Sequence, residues 1–244
     1  MKNGFAAFKA FTLAEVIIVV GIIGIIAQVT IPTLLSNIQN EELHSQFKKT
    51  YSELNQIAMQ FKNDNDITVP EYTSGNWTKF TKKDFWKYLK DGNNIFEHSY
   101  EAGFTSLYRL RGLKGETASN VCDVSSYYTE ISGKIYTFND YNQSGENGPV
   151  LCVDINGEKK PNTYGKDFFL FIFTLDGTVI PMGQYNSRNT EHQIPDGNFF
   201  KYGAENCDNK NLYNKQYACA YYALLNQHPT EAGKDYWHDF LSGN

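Results

Sequence analysis

The feature that most constrains this chain is residues 11–35, FTLAEVIIVVGIIGIIAQVTIPTLL, a 25-residue apolar run with one charge, Glu15. As a helix rising about 1.5 Å per residue it would extend roughly 37 Å, enough to cross the hydrocarbon core of a bilayer. The ten residues before it carry Lys2 and Lys9 and no acid. Basic flanks stay on the cytoplasmic side, so the remainder of the chain is expected outside the inner membrane, in the periplasm. A cleavable secretory signal would have a shorter apolar region, roughly 7–15 residues, ending in small residues. This run is too long, and Ala27-Gln28-Val29 is a poor cleavage site.

Glu15 needs a physical account. A carboxylate costs about 2.5–3.5 kcal/mol at the centre of a membrane helix, and less near an end. The junction Ala10-Phe11-Thr12-Leu13-Ala14-Glu15, the glycines Gly21 and Gly24 and the proline Pro32 resemble the N-terminal segment of type IV pilins and of the pseudopilins of type II secretion. The resemblance covers about the first 40 residues. It departs at Ala10, where the family usually has Gly, and at Ala14, where Ile is frequent. It implies that a prepilin peptidase cuts between Ala10 and Phe11 and that the new Phe11 terminus is N-methylated. Glu15 would then be the fifth mature residue, and its partner the free α-amine of Phe11 on a neighbouring subunit. The implied partners are other pilin or pseudopilin subunits, the peptidase, an inner-membrane assembly platform and the lipid bilayer. The alternative is an uncleaved single-pass anchor carrying a periplasmic binding or sensor domain.

Beyond the apolar run, Leu43, Phe47, Tyr51, Leu54, Ala58 and Phe61 recur every three or four residues, which predicts an amphipathic helix. One long helix is expected from Phe11 to Asn63, with a kink or local melting at Pro32. Residues 63–78 read as loop. Phe85, Trp86 and Leu89, with Thr81 as N-cap, suggest a short helix over 79–90. Residues 134–139, 150–155, 168–175 and 178–180 read as strands. The third of these is apolar on both faces and is expected to be central. Asp176-Gly177 suggests a two-residue hairpin turn. Residues 184–211 read as a polar loop, 212–226 as helical, and 236–241 as a tail docking by its aromatics.

The expected fold is therefore α+β and pilin-like: a long N-terminal helix, membrane-spanning in its first half, packed on an antiparallel β-sheet, with a disulfide-tied C-terminal region. The organisation is 1–10 leader, 11–35 transmembrane or assembly half, 36–63 amphipathic half, and 64–244 periplasmic globular domain. Four cysteines, none in C-x-x-C spacing, favour disulfides in that compartment. Of three connectivities, proximity in sequence favours Cys122–Cys152 and Cys207–Cys219. The second would resemble a pilin's terminal disulfide loop.

The run Asp154-Ile155-Asn156-Gly157, then Pro161-Asn162 and Gly165-Lys166-Asp167-Phe168, is a second, weaker resemblance to pseudopilin-like domains. Turn chemistry accounts for it: Asn156-Gly157 supports positive φ, and Asn162 and Asp167 can bond the loop's own backbone. The alternative is a calcium site on Asp154, Asn156 and Asp167, three side chains where calcium takes six to eight oxygens. No other cofactor is implied. No nucleophile elbow, phosphate loop or metalloprotease motif is present, so no enzyme is expected. A net charge of −5 with no basic cluster after the helix argues against nucleic acid.

Overall fold

A computed structural model of the chain describes residues 12–74, 85–88, 95–99, 109–122, 126–139, 148–184, 207–208 and 216–242. The chain divides into two units, Met1–Gln39 and Asn40–Asn244. Ala10, Phe11, Thr81 and the polar loop's turn at residues 195–197 lie outside the described residues.

Helix α1, Leu13–Asn65, runs through both units. In the first unit its apolar side chains are exposed, from Leu13 through Leu35. This is the one helix among the described residues long and apolar enough to cross a membrane, by length and composition. Pro32 does not interrupt it. The local melting expected there is absent: proline removes one backbone donor, and the helix carries on past that single loss. Close to the proline, Thr30 Oγ1 donates to the Ile26 carbonyl (3.0 Å) and Thr33 Oγ1 to that of Val29 (3.1 Å), extra bonds that membrane helices use around such breaks.

In the second unit, Leu43, Phe47, Thr50, Leu54, Ile57, Ala58 and Phe61 form the buried stripe of α1. The helix ends where Asp66 turns left-handed at φ 58°. A short helix, α2 (Val69–Thr73), follows where sequence suggested loop. Its start is a capping box: Thr68 accepts from the Glu71 N–H, and Glu71 accepts from the Thr68 N–H at 2.8 Å. Of the helix predicted over 79–90, Phe85–Tyr88 is helical and is α3; the rest of that stretch lies outside the described residues.

The sheet has six antiparallel strands in sequential order: β1 Ile95–Ser99, β2 Ser126–Glu130, β3 Ile135–Asn139, β4 Val150–Asp154, β5 Phe168–Phe173 and β6 Val179–Pro181. β1 and β2 were not foreseen. β5 is wholly buried, yet it lies fifth of six rather than at the middle. Its apolar character on both faces reflects cover on both faces. Phe169, Phe171 and Phe173 join Leu151, Val153, Tyr136, Phe138 and the α1 stripe in one core. Phe47 meets Phe169 edge-on at 4.6 Å between ring centres. On the opposite face Phe168, Leu170, Ile172, Val150 and Cys152 pack beneath Leu110, Ala118, Cys122, Tyr164 and Tyr217. The segment 109–122 is tied down there by Arg111 N–H to the Asn162 carbonyl (2.9 Å) and Tyr164 N–H to the Arg111 carbonyl (3.0 Å).

The β5–β6 connection is a correction. It is a three-residue loop, 175–177, closed by Thr174 N–H to the Thr178 carbonyl and Gly177 N–H to the Thr174 carbonyl, both 2.9 Å. Gly177 sits at φ 83°, the left-handed position such loops require. The two threonine hydroxyls also meet at 2.9 Å across the loop.

Helix α4 (Cys219–Leu225) occupies the later part of the predicted 212–226 helix. The chain then forms a π-helical hook, Tyr236–Phe240, with Tyr236, Trp237, Phe240 and Leu241 buried. The disulfides are Cys122–Cys152 and Cys207–Cys219, the pairing that sequence proximity favoured. The first pins segment 109–122 to β4; the second ties residue 207 to α4.

Candidate functional site

Three sets of residues were singled out from sequence: Ala10, Phe11, Glu15 and Pro32 on the apolar helix; the loop acids; and the cysteines. The first set belongs to the first unit and the other two to the second.

Glu15 stands at the third helical position of α1, and Thr12 is its N-cap. Glu15 N–H donates to Thr12 Oγ1 at 3.2 Å, while Thr12 N–H and Thr12 Oγ1 both donate to Glu15 Oε2 at 2.8 Å. This is a reciprocal capping box, the same device that opens α2. It satisfies orphan donors at the helix start and places a negative charge at the positive end of the helix dipole. Both bonds from Thr12 go to Oε2; among the described residues Oε1 accepts none. The stretch Thr12-Leu13-Ala14-Glu15 is readable in the sequence as a capping signature, and Thr12 is the site residue that sequence reasoning passed over. A Cβ added at Gly21 or Gly24 would meet nothing within 4 Å. Neither glycine is required by packing within the chain, and both leave bare backbone on the helix surface.

The loop acids serve the β4–β5 connection. Asp167 is fully buried; Oδ2 accepts from Asn162 N–H at 2.8 Å and Oδ1 from Thr163 N–H. Asp154 Oδ1 accepts from Asn156 N–H at 3.1 Å. Asn162 sits at φ 51°, and its amide nitrogen, oriented to suit its neighbours, reaches the carbonyls of Lys159 (2.8 Å) and Gly157 (3.3 Å). A Cβ on Gly157, at φ 72°, would lie 1.9 Å from the Gly133 carbonyl oxygen, so glycine is needed where the β2–β3 turn crosses this loop. Burial pushes the Asp167 carboxyl up to about 6, against the pull of the Thr163 and Asn162 N–H groups, the Asn156 side chain and the Lys166 charge. Burial likewise lowers Lys166. Among the described residues, no group of three or more His, Cys, Asp or Glu is placed to hold a metal ion. Asp154 and Asp167 here accept backbone N–H groups of their own loop.

A third cluster went unforeseen. Lys134, nearly buried on the β2–β3 hairpin, lies between Glu53 of α1, which its Nζ contacts directly, and Glu130 at 3.7 Å. Ser132 Oγ and the Tyr136 hydroxyl also donate to Glu130 Oε2, at 2.7 and 3.3 Å. Burial, then Glu130, holds the Tyr136 hydroxyl well above the ordinary tyrosine range. This network fastens the helix to the sheet and exposes no reactive group.

No protein-family model, curated protein or solved structure matches the chain.

Proposed function

We propose that the chain is a structural subunit, a type IV pilin or type II secretion pseudopilin. It is held in the inner membrane by residues 11–35 with its α+β domain in the periplasm, and it polymerises after prepilin peptidase removes residues 1–10. The observation that carries this reading is Glu15, a lone carboxylate one turn into an apolar helix, at the fifth position after the Ala10-Phe11 junction. Its Oε2 is engaged by Thr12 while Oε1 accepts no bond among the described residues, so it can receive a cation from another subunit. The freed α-amine of a neighbour's Phe11 is the nearest cation the motif supplies. Bare backbone at Gly21 and Gly24 suits close helix–helix approach in a bundle, where packing rather than hydrophobic transfer drives association.

The test is mass spectrometry of the amino terminus of the protein purified from its own membranes, with filament formation scored in Glu15→Gln. A methylated Phe11 terminus and loss of filaments support the subunit. An intact terminus with unchanged assembly overturns it.

The second reading, a single-pass anchored binding or sensor domain, is favoured by the capping box being internal to the helix: Thr12 engages Oε2 of Glu15 without any second chain. It predicts an uncut terminus and indifference to Glu15→Gln.

A further inference from the structure

The C-terminal hook grips the first turns of the buried part of α1 through side chains, with no strand or long helix to hold it. Asn40 Nδ2 donates to the Trp237 carbonyl at 2.9 Å. The His44 ring stacks on the Trp237 indole, with centres 5.1 Å apart and planes 19° apart. Trp237 Nε1 donates to the Ala223 carbonyl at 3.0 Å. Asn226 Oδ1 receives the Tyr236 and Trp237 N–H groups at 3.2 and 3.3 Å.

At the open side of this grip sits His238. Its Nε2 is 3.1 Å from Glu41 Oε1 of α1, and its Nδ1 is 3.4 Å from Asp235 Oδ2 of the hook's own cap. Asp235 Oδ1 separately accepts the N–H groups of His238 (2.6 Å) and Asp239 (3.2 Å). A neutral imidazole can donate from one ring nitrogen only, so it can serve one of the two carboxylates; the imidazolium donates from both. Histidine is the side chain whose charge ordinarily changes between about pH 5 and 8.

We propose that the hook is a proton-responsive clasp: protonated His238 bridges Glu41 of α1 and Asp235 of the hook and fastens the C-terminus to the helix, and the neutral ring releases one of the two links. The other titratable groups near this point are His44 of α1, whose own electrostatic neighbours are Lys48, Glu41, Asp235 and His238, and Asp239, the next residue along the hook. His44 is lowered by burial and then by Lys48. On the far side of the hook, His228 meets the Phe240 ring at 5.3 Å and is paired with Glu231 at 3.4 Å. The clasp acts within the second unit and does not depend on whether the chain polymerises.

The experiment is hydrogen–deuterium exchange of the full chain in detergent micelles at pH 7.5 and 5.8, corrected for the intrinsic pH dependence of exchange. Protection of amides 236–241 should rise about two- to tenfold on acidification, the range for two half-exposed ion pairs. Amides of β5 serve as the reference for global stability. His238→Gln should abolish the rise while leaving β5 protected, and Glu41→Gln should reduce it. The same rise in His238→Gln, or none in the wild type, overturns the proposal. Where a variant loses β5 protection, an NMR titration of the wild type decides: the His238 ring and the hook amides should share one midpoint, and separate midpoints overturn the coupling.

Discussion

Asp167 makes the most exacting test of the β4–β5 loop, because its burial and its hydrogen bonds push its acidity in opposite directions. Desolvation wins, and the carboxyl rises from 3.8 to about 6. An acid whose folded-state pKa is raised keeps its proton longer in the native state than in the unfolded chain. Between pH 3.8 and about 6 the native state therefore binds more protons, and stability falls as pH rises through that window. The interval corresponds to about 3 kcal/mol, fully lost above about pH 7 and recovered below about pH 4. Other carboxylates act the other way: Glu71 is lowered by its bonds from Thr68. The total curve thus mixes signs, and the Asp167 contribution has to be read as a difference.

The perturbation is Asp167→Asn. The amide keeps one acceptor oxygen for either Asn162 N–H or Thr163 N–H and turns an NH₂ toward the other. Below about pH 4 the variant should be less stable than wild type by about 1–3 kcal/mol, the cost of one buried donor left without an acceptor. As pH rises to 7 the wild type loses its proton-linked stability and the variant does not, so the gap closes or reverses. The assay is urea unfolding of the full chain in detergent, followed by tryptophan fluorescence and near-ultraviolet dichroism, at half-unit steps from pH 3 to 7.5. A gap that stays constant across this range would refute the claim that desolvation outweighs the backbone donors.

Three other perturbations follow from the same structure. Lys134→Met should cost about 3–5 kcal/mol in urea unfolding, because it strands Glu130 and Glu53 beside one another with their shared cation gone; a loss under about 1 kcal/mol would mean the carboxylates are solvated after all. Phe47→Ala removes a fully buried ring that touches Phe169, Phe171 and Trp237, and should cost about 3–5 kcal/mol in the same assay. Replacing Cys122 and Cys152 together by Ser opens a link spanning 30 residues, which the chain-entropy argument values at roughly 3–4 kcal/mol; proteolysis within 109–122 should rise before any cleavage in β4 or β5.

The residues show why part of this fold was legible and part was not. The α1 stripe repeats locally, so Leu43, Phe47, Leu54, Ala58 and Phe61 declare a helix without any knowledge of their partners. β5 declares itself by being apolar at every position. What covers its second face could not be read, since Leu110 reaches Leu170 only through a fold that first brings Arg111 to Asn162 and Tyr164. Lys134 and Glu53 lie 81 residues apart and look like ordinary surface charges in the sequence. Two local signals were present and missed: Thr12-Leu13-Ala14-Glu15 and Thr68-Val69-Pro70-Glu71, each a Thr three residues before a Glu. The second turned an expected loop into α2, and the first changed the meaning of Glu15. The hairpin at Asp176-Gly177 was misjudged because a two-residue type I′ turn needs positive φ at both central residues, and here Gly177 alone is left-handed, with closure at Thr174 and Thr178.

The cap at Glu15 bears on the central question. A carboxylate bare in lipid costs about 2.5–3.5 kcal/mol at the centre of a membrane helix and less near an end, where Glu15 stands. A carboxylate whose Oε2 is held by Thr12 is already half satisfied, which under the proposed reading would lower the cost of a lone helix waiting in a bilayer. Assembly then need not break the cap. An incoming amine requires one oxygen, and the geometry that fixes Oε2 also fixes where Oε1 sits relative to the helix end. Under the proposed subunit reading, the capping box and an intermolecular pair would divide one carboxylate between two tasks, and the self-contained anchor and the polymerising subunit would be separated by whether Oε1 is ever used.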